Sequence, residues 1–169
     1  MKNLFLLLVG ITLFAVACKE SEEVTPTYNP STDGLVGEWY SSKTNIAPLL
    51  VNFKVDSLYA KFNSNNTYHV ESFAAGAKTT LEGTYLQKKS DVGSIWTITL
   101  NQSTPTALTS EGIFEITKEA SGKYLMKYEV AQTSPSIGAT APTVTGGFGS
   151  TNGGKIGAIN VQKYYKIVK

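Results

Sequence analysis

The chain has 169 residues and a formal net charge of +2, and all 15 of its basic residues are lysines. Apart from Lys88-Lys89 and the trio Lys163, Lys166 and Lys169, they are scattered singly, which excludes the clustered Arg/Lys face of a nucleic-acid binder. A single cysteine, Cys18, and a single histidine, His69, exclude an internal disulfide and a protein-only zinc site.

The N-terminus reads first. Met1-Lys2-Asn3 is a short positive region, followed by an apolar run over residues 4–17. As a helix that run is about 21 Å long, short of the roughly 30 Å hydrocarbon core of a bilayer. It has the length and flanks of a signal peptide. The run ends in Ala15-Val16-Ala17-Cys18, which resembles a lipobox, with Ala at position 15 where Leu is usual. The same residues also read as an ordinary A-x-A cleavage site. The lipobox resemblance implies removal of residues 1–17 and acylation of Cys18, and hence a membrane partner through a lipid anchor, in the outer membrane of a bacterial envelope. Residues 18–33 are charged, contain proline and carry few apolar side chains, so they are expected to be a tether. Their start, Lys19-Glu20-Ser21-Glu22-Glu23, looks like the acidic export signal of surface lipoproteins of Bacteroidota.

From residue 34 to 169 one β domain is expected. A first strand covers 37–43. Residues 46–53 form either a short helix or a strand start. Strands over 57–62 and 67–73 flank Asn63-Ser64-Asn65-Asn66, a turn that Asn tolerates because it accepts positive φ. Further alternating runs follow at 79–86, 95–100, 112–117 and 124–130. In the last of these Tyr124, Met126, Tyr128 and Val130 oppose Lys127 and Glu129. A final strand is expected over 158–168. Period-2 alternation marks strands with one dry and one wet face. About eight strands with hairpin-length links predict an all-β, antiparallel up-and-down barrel, with a β-sandwich as the alternative. Residues 132–157 break the rhythm, being rich in Gly, Ser, Thr and Pro. They read as a mobile loop with Phe148 near its tip, or as an inserted pair of short strands.

Leu35-Val36-Gly37-Glu38-Trp39 resembles the opening Gly-x-Trp of lipocalin-like proteins. Phe62-Asn63-Ser64-Asn65-Asn66-Thr67-Tyr68 and Gly83-Thr84-Tyr85 are also similar to bacterial lipocalin-like domains. The resemblance implies that Gly37 turns the chain into the first strand and that Trp39 closes the barrel base. In that family the Trp packs against an Arg of the last strand. This chain has none, and Lys163 or Lys166 is the available substitute.

Little in the sequence carries catalysis. His69 has no Gly-x-Ser-x-Gly elbow to accompany it. Glu71 and Glu82, on adjacent predicted strands, form a carboxylate pair of the kind that hydrolyses glycosides, and a reading as outward strand residues pairing with lysines explains them better. Calcium-loop and phosphate-binding signatures are missing. The expectation is therefore a non-enzymatic binding protein without a cofactor. The interior candidates are Trp39, Leu58, Phe62, Tyr68, Tyr85, Trp96, Phe114, Met126 and Tyr128. They either fill the core or line a site for a small apolar or amphipathic ligand, oriented by tyrosine hydroxyls. The alternative is an accessory or inhibitor lipoprotein that docks an envelope protein or glycan through its loops, using Phe148 and surface tyrosines such as Tyr40 and Tyr164.

Overall fold

The computed structural model describes residues 27–168. The expected signal peptide, Cys18 and the beginning of the tether lie outside the described residues. Eight antiparallel strands form a closed barrel in sequence order. They are β1 (Gly37–Ser42), β2 (Val55–Phe62), β3 (Thr67–Ala74), β4 (Ala77–Lys89), β5 (Ile95–Thr104), β6 (Leu108–Lys118), β7 (Tyr124–Ser134) and β8 (Gln162–Lys166). β8 closes the ring on β1 through Trp39↔Lys166 and Tyr40↔Tyr165. The up-and-down barrel expected from the alternation is thus what the chain forms, and no sandwich is made.

Alternation decides which side chains enter. Trp39, Leu58, Ala60, Phe62, Tyr68, Tyr85, Ile98, Phe114, Met126 and Tyr164 are all buried in one core cluster. Each large apolar side chain so buried contributes about 1.5–3 kcal/mol relative to exposure. The meander leaves short turns 63–66, 90–94 and 119–123 at the end where the chain enters. At the opposite end are 43–54, 75–76, 105–107 and 135–161.

The entry end is plugged. Residues 27–36 cross it, with a one-turn helix α1 (Pro30–Asp33) capped by Asn29, whose side chain accepts from Ser31 N. Tyr28 packs edge-on against Trp39 and Tyr124, with centroids at 6.2 and 4.9 Å, and its hydroxyl donates to Gly34 O at 2.6 Å. Gln87 of β4 accepts from Leu35 N at 2.9 Å and donates to Asp33 O at 3.2 Å. The expected tether therefore ends earlier than residue 33, because Tyr28 has an aromatic and hydrogen-bonding socket on the barrel base.

Two further expectations are corrected. The final strand covers only Gln162–Lys166, since Gly157–Asn160 forms a 3-10 turn in front of it. The 132–157 segment contains no inserted strand: β7 runs on to Ser134 and the next strand begins at Gln162. Nor is this connection detached. Glu129 of β7 points away from the interior, yet it is fully buried. Its carboxylate accepts from Gly149 N at 2.6 Å, Thr151 N at 3.2 Å and Thr151 Oγ1 at 2.5 Å. Ile113, its partner on β6, is also buried, so the connection lies as a cover over this outer patch. Residues 46–53 resolve as a short helix, α2 (Pro48–Asn52), with proline in its first turn.

Candidate functional site

The barrel encloses a cavity of about 290 Å³ toward the end away from Tyr28. Its walls follow from strand parity. β2 supplies Leu58, Ala60 and Phe62, and β3 supplies Tyr68, Val70 and Ser72. β4 and β5 supply Leu81, Leu100 and Gln102, and β6 supplies Leu108 and Ser110. Met126, Tyr128 and Val130 come from β7, and Gln162 and Tyr164 from β8. Leu49 and Leu50 of α2 and Asn160 of the Gly157–Asn160 turn complete the lining, and α2 lies against that turn.

Of the residues named from sequence, Leu58, Phe62, Tyr68, Met126 and Tyr128 line this cavity. Trp39, Tyr85, Trp96 and Phe114 do not, and this is a correction. They point inward as expected but belong to the packed layer at the plugged end. Trp96 stacks on Phe114 at 5.7 Å. Tyr85 packs edge-on against Phe62 at 5.1 Å and donates to Asn63 O at 3.0 Å. Trp39 donates to Leu35 O at 2.7 Å. Alternation specifies a face, while height along the barrel axis decides between plug and cavity wall. Tyr164 is a second correction: expected on the surface, it is 7% exposed and lines the cavity. Tyr40 is exposed as expected, whereas Phe148 is half-buried, with Lys127 Nζ 4.3 Å from its ring centre.

The cavity's polar groups are few. Tyr68, Tyr128 and Tyr164 make no hydrogen bond to another described residue through their hydroxyls. Burial pushes Tyr68 up to about 12 and raises Tyr128 and Tyr164 as well, so all three remain protonated phenols near neutral pH. Gln162 is committed elsewhere. Its Oε1 accepts from Ala47 N at 2.7 Å, and its Nε2 donates to Ser41 Oγ and, at 3.0 Å, to Asn45 O. Asn160 donates from Nδ2 to Thr151 Oγ1 at 2.9 Å, while its buried Oδ1 has no partner. Gln162 could have been suspected from its place at the start of a strand. Leu49, Leu50 and Asn160 carry no local signal, because they reach the cavity from connections.

His69 faces outward. Its Nδ1 is 2.7 Å from Glu82 Oε1 and its Nε2 is 3.4 Å from Glu71 Oε1, and Glu71 also receives Lys78 at 2.7 Å. The Lys78 hydrogen bond holds Glu71 below the usual carboxylate range. Glu71 and Glu82 thus flank a histidine on the outer face and do not confront each other across a cleft. Among the described residues no group of three or more His, Cys, Asp or Glu side chains is placed to hold a metal ion.

At the plugged end Lys166 of β8 lies over Tyr28 at 3.7 Å and Trp39 at 4.8 Å, and donates to Val36 O at 2.8 Å. Gly37 has φ of 123° and a Cβ there would strike the Lys166 ammonium. The positive φ is what calls for glycine at the first position of Gly37-x-Trp39, since the Lys166 ammonium ends a flexible side chain that can shift. No protein-family model matches the chain, and no curated protein matches it.

Proposed function

We propose that this chain is an envelope-anchored lipoprotein whose lipocalin-like barrel binds a small apolar or amphipathic molecule. The observation that carries the reading is the cavity of about 290 Å³, walled by leucine, valine, methionine and aromatic side chains and punctuated by phenols without protein partners. That combination of apolar walls and few polar groups is the ordinary chemistry of small-ligand sites. Burying about 200 Å² of a ligand's apolar surface contributes roughly 5 kcal/mol before the costs of association. The lipocalin likeness is supported by the base, where a cation from the last strand covers the Trp of Gly37-x-Trp39. The anchor rests on Ala15-Val16-Ala17-Cys18.

Native mass spectrometry of the purified protein tests the cavity. The expected result is a bound small molecule, either co-purified or taken up from a panel of apolar compounds. Ser72→Phe, which fills the cavity from β3, is expected to abolish uptake. Uptake unchanged in S72F would place binding elsewhere, and no uptake by the wild type would remove the reading. For the anchor, intact-mass analysis of membrane-extracted protein is expected to show acyl chains on Cys18. Release of C18S to the soluble fraction would agree, and an unmodified thiol would not.

The alternative, a lipoprotein that docks a protein or glycan, draws on Phe53 and Ile137, which are 68% and 66% exposed on the connections at the cavity end. A partner whose binding survives F53S and I137S together would count against that version.

A further inference from the structure

The cavity wall holds no lysine, aspartate, glutamate or histidine. Strand parity explains this. On β3, β4 and β7 the charged residues His69, Glu71, Lys78, Glu82, Lys127 and Glu129 alternate with the inward side chains and so point outward. Among the described residues the lysines on inward positions stand at the plugged end: Lys166 is held between Tyr28, Trp39 and Val36 O, Lys89 is paired with Trp96 and Lys118 lies over Tyr124. No side chain in the wall supplies a counter-charge for an ionic group of either sign.

What the wall does offer is neutral polar groups: Ser72, Ser110, Gln102 and Asn160, and above all three phenols. Tyr128 and Tyr164 meet edge-on with ring centroids at 6.1 Å, and Tyr128 lies within electrostatic reach of Tyr68 as well. Each hydroxyl has one proton to donate and lone pairs to accept with. The three hydroxyls have no partner among the described residues and open onto the cavity, and Asn160, which also lines it, has a buried Oδ1 without a partner, so a guest that brings an oxygen can satisfy them. A phenol cluster can also solvate an oxyanion. Here, however, an anion would leave water for a wall without any cation, at a desolvation cost that a neutral oxygen does not incur.

We propose that the cavity selects uncharged ligands: molecules on the order of a dozen non-hydrogen atoms, apolar over most of their surface, with one hydroxyl or carbonyl oxygen at Tyr68, Tyr128 and Tyr164. The carboxylate of the same skeleton is rejected. This rests on the cavity being the ligand site and adds the chemical class that enters it.

Isothermal titration of the purified protein with matched pairs tests the selection: 2-naphthol against 2-naphthoate, and 1-octanol against octanoate. The neutral member is expected to bind at pH 7 and the carboxylate at least about 100-fold more weakly, the size of a charge-burial penalty of a few kcal/mol. The affinity of the neutral member stays flat with pH. That of the acid rises by about tenfold per pH unit lowered, toward a carboxyl pKa near 4–5, because only its neutral form enters. Tyr128→Phe and Tyr164→Phe each weaken the neutral ligand by about two- to tenfold, while uptake of a pure hydrocarbon such as naphthalene is unchanged. Equal binding of both members at pH 7 with no pH dependence overturns the selection while leaving the cavity as the ligand site. A failure of all four compounds and of naphthalene overturns the ligand site and the selection together.

Discussion

Lys166 concentrates the conflict between charge and burial. Its ammonium gains two aromatic faces and a carbonyl, an arrangement that favours a cation. Burial nevertheless pulls its pKa down to about 8, against the opposing influence of Asp33 and Glu38. Between that value and the ordinary lysine value, the unfolded chain binds a proton that the native state has released. Stability therefore rises with pH across that window. The buried tyrosines act in the opposite sense. Above pH about 10 an unfolded chain sheds phenol protons that Tyr68, raised to about 12, keeps in the native state, and stability falls. The wild type is expected to be most stable near pH 10, and Lys166→Met is expected to lose the rise while retaining the fall. Urea midpoints at pH 7.5, 9, 10 and 11 check this, and an unchanged rise in K166M would assign the linkage to another group. That Lys166 and not Lys163 covers Trp39 follows from parity. With Gln162 and Tyr164 inward, Lys163 must face solvent.

At the scale of elements, the β7–β8 connection is the part that local patterning describes least well. Its composition is that of a free loop, yet it is fastened to β7 through the Glu129 carboxylate and through Lys127 over Phe148. Glu129 reads as a wet-face residue because it alternates with Tyr128 and Val130, and the alternation is correct. What makes it buried is the connection folding back over the outer surface, a long-range event that no window of β7 contains. Charge-assisted hydrogen bonds of this kind are stronger than neutral ones, and removing the acceptor strands buried donors. Glu129→Ala is expected to cost about 2–3 kcal/mol and to open residues 146–157 to protease, with Glu129→Gln intermediate because one carbonyl oxygen remains. Denaturation midpoints and limited proteolysis are the measurements. An E129A protein as stable and resistant as wild type would mean that the cover is held by its other contacts. On the far side of β8, Gln162 does the corresponding work, tying the strand start to Ser41, Asn45 and Ala47. A strand of only five residues can therefore close the ring.

For the whole molecule, closing the ring brings the backbones of neighbouring strands into close approach at particular points. Gly83 and Gly112 stand at such places: a Cβ would overlap the Asn101 carbonyl oxygen at the first and the Glu129 carbonyl oxygen at the second. Glycine inside a strand commonly marks this close approach. Gly112→Ala is expected to cost about 1–3 kcal/mol and to spread β6 from β7, seen as lost amide protection along that pair. Protection equal to wild type would show that the sheet has room to spare. Much of this architecture was legible along the chain. The strand parity of Leu58, Phe62, Tyr68, Met126 and Tyr128, the Asn63–Asn66 turn and the Gly37-x-Trp39 start are local signals, because side-chain direction in a strand and tolerance of positive φ are properties of one or two residues. By itself the sequence determined that the chain would alternate, meander and bury its aromatics on one side. Only the tertiary structure decided which aromatics became a plug and which a wall, that Tyr164 turns inward, that Glu129 is covered, and that a cavity persists between Tyr68, Tyr128 and Tyr164. Those outcomes depend on height along the barrel axis and on connections returning across it. Both are fixed by strand register and closure, which bring together residues more than a hundred positions apart.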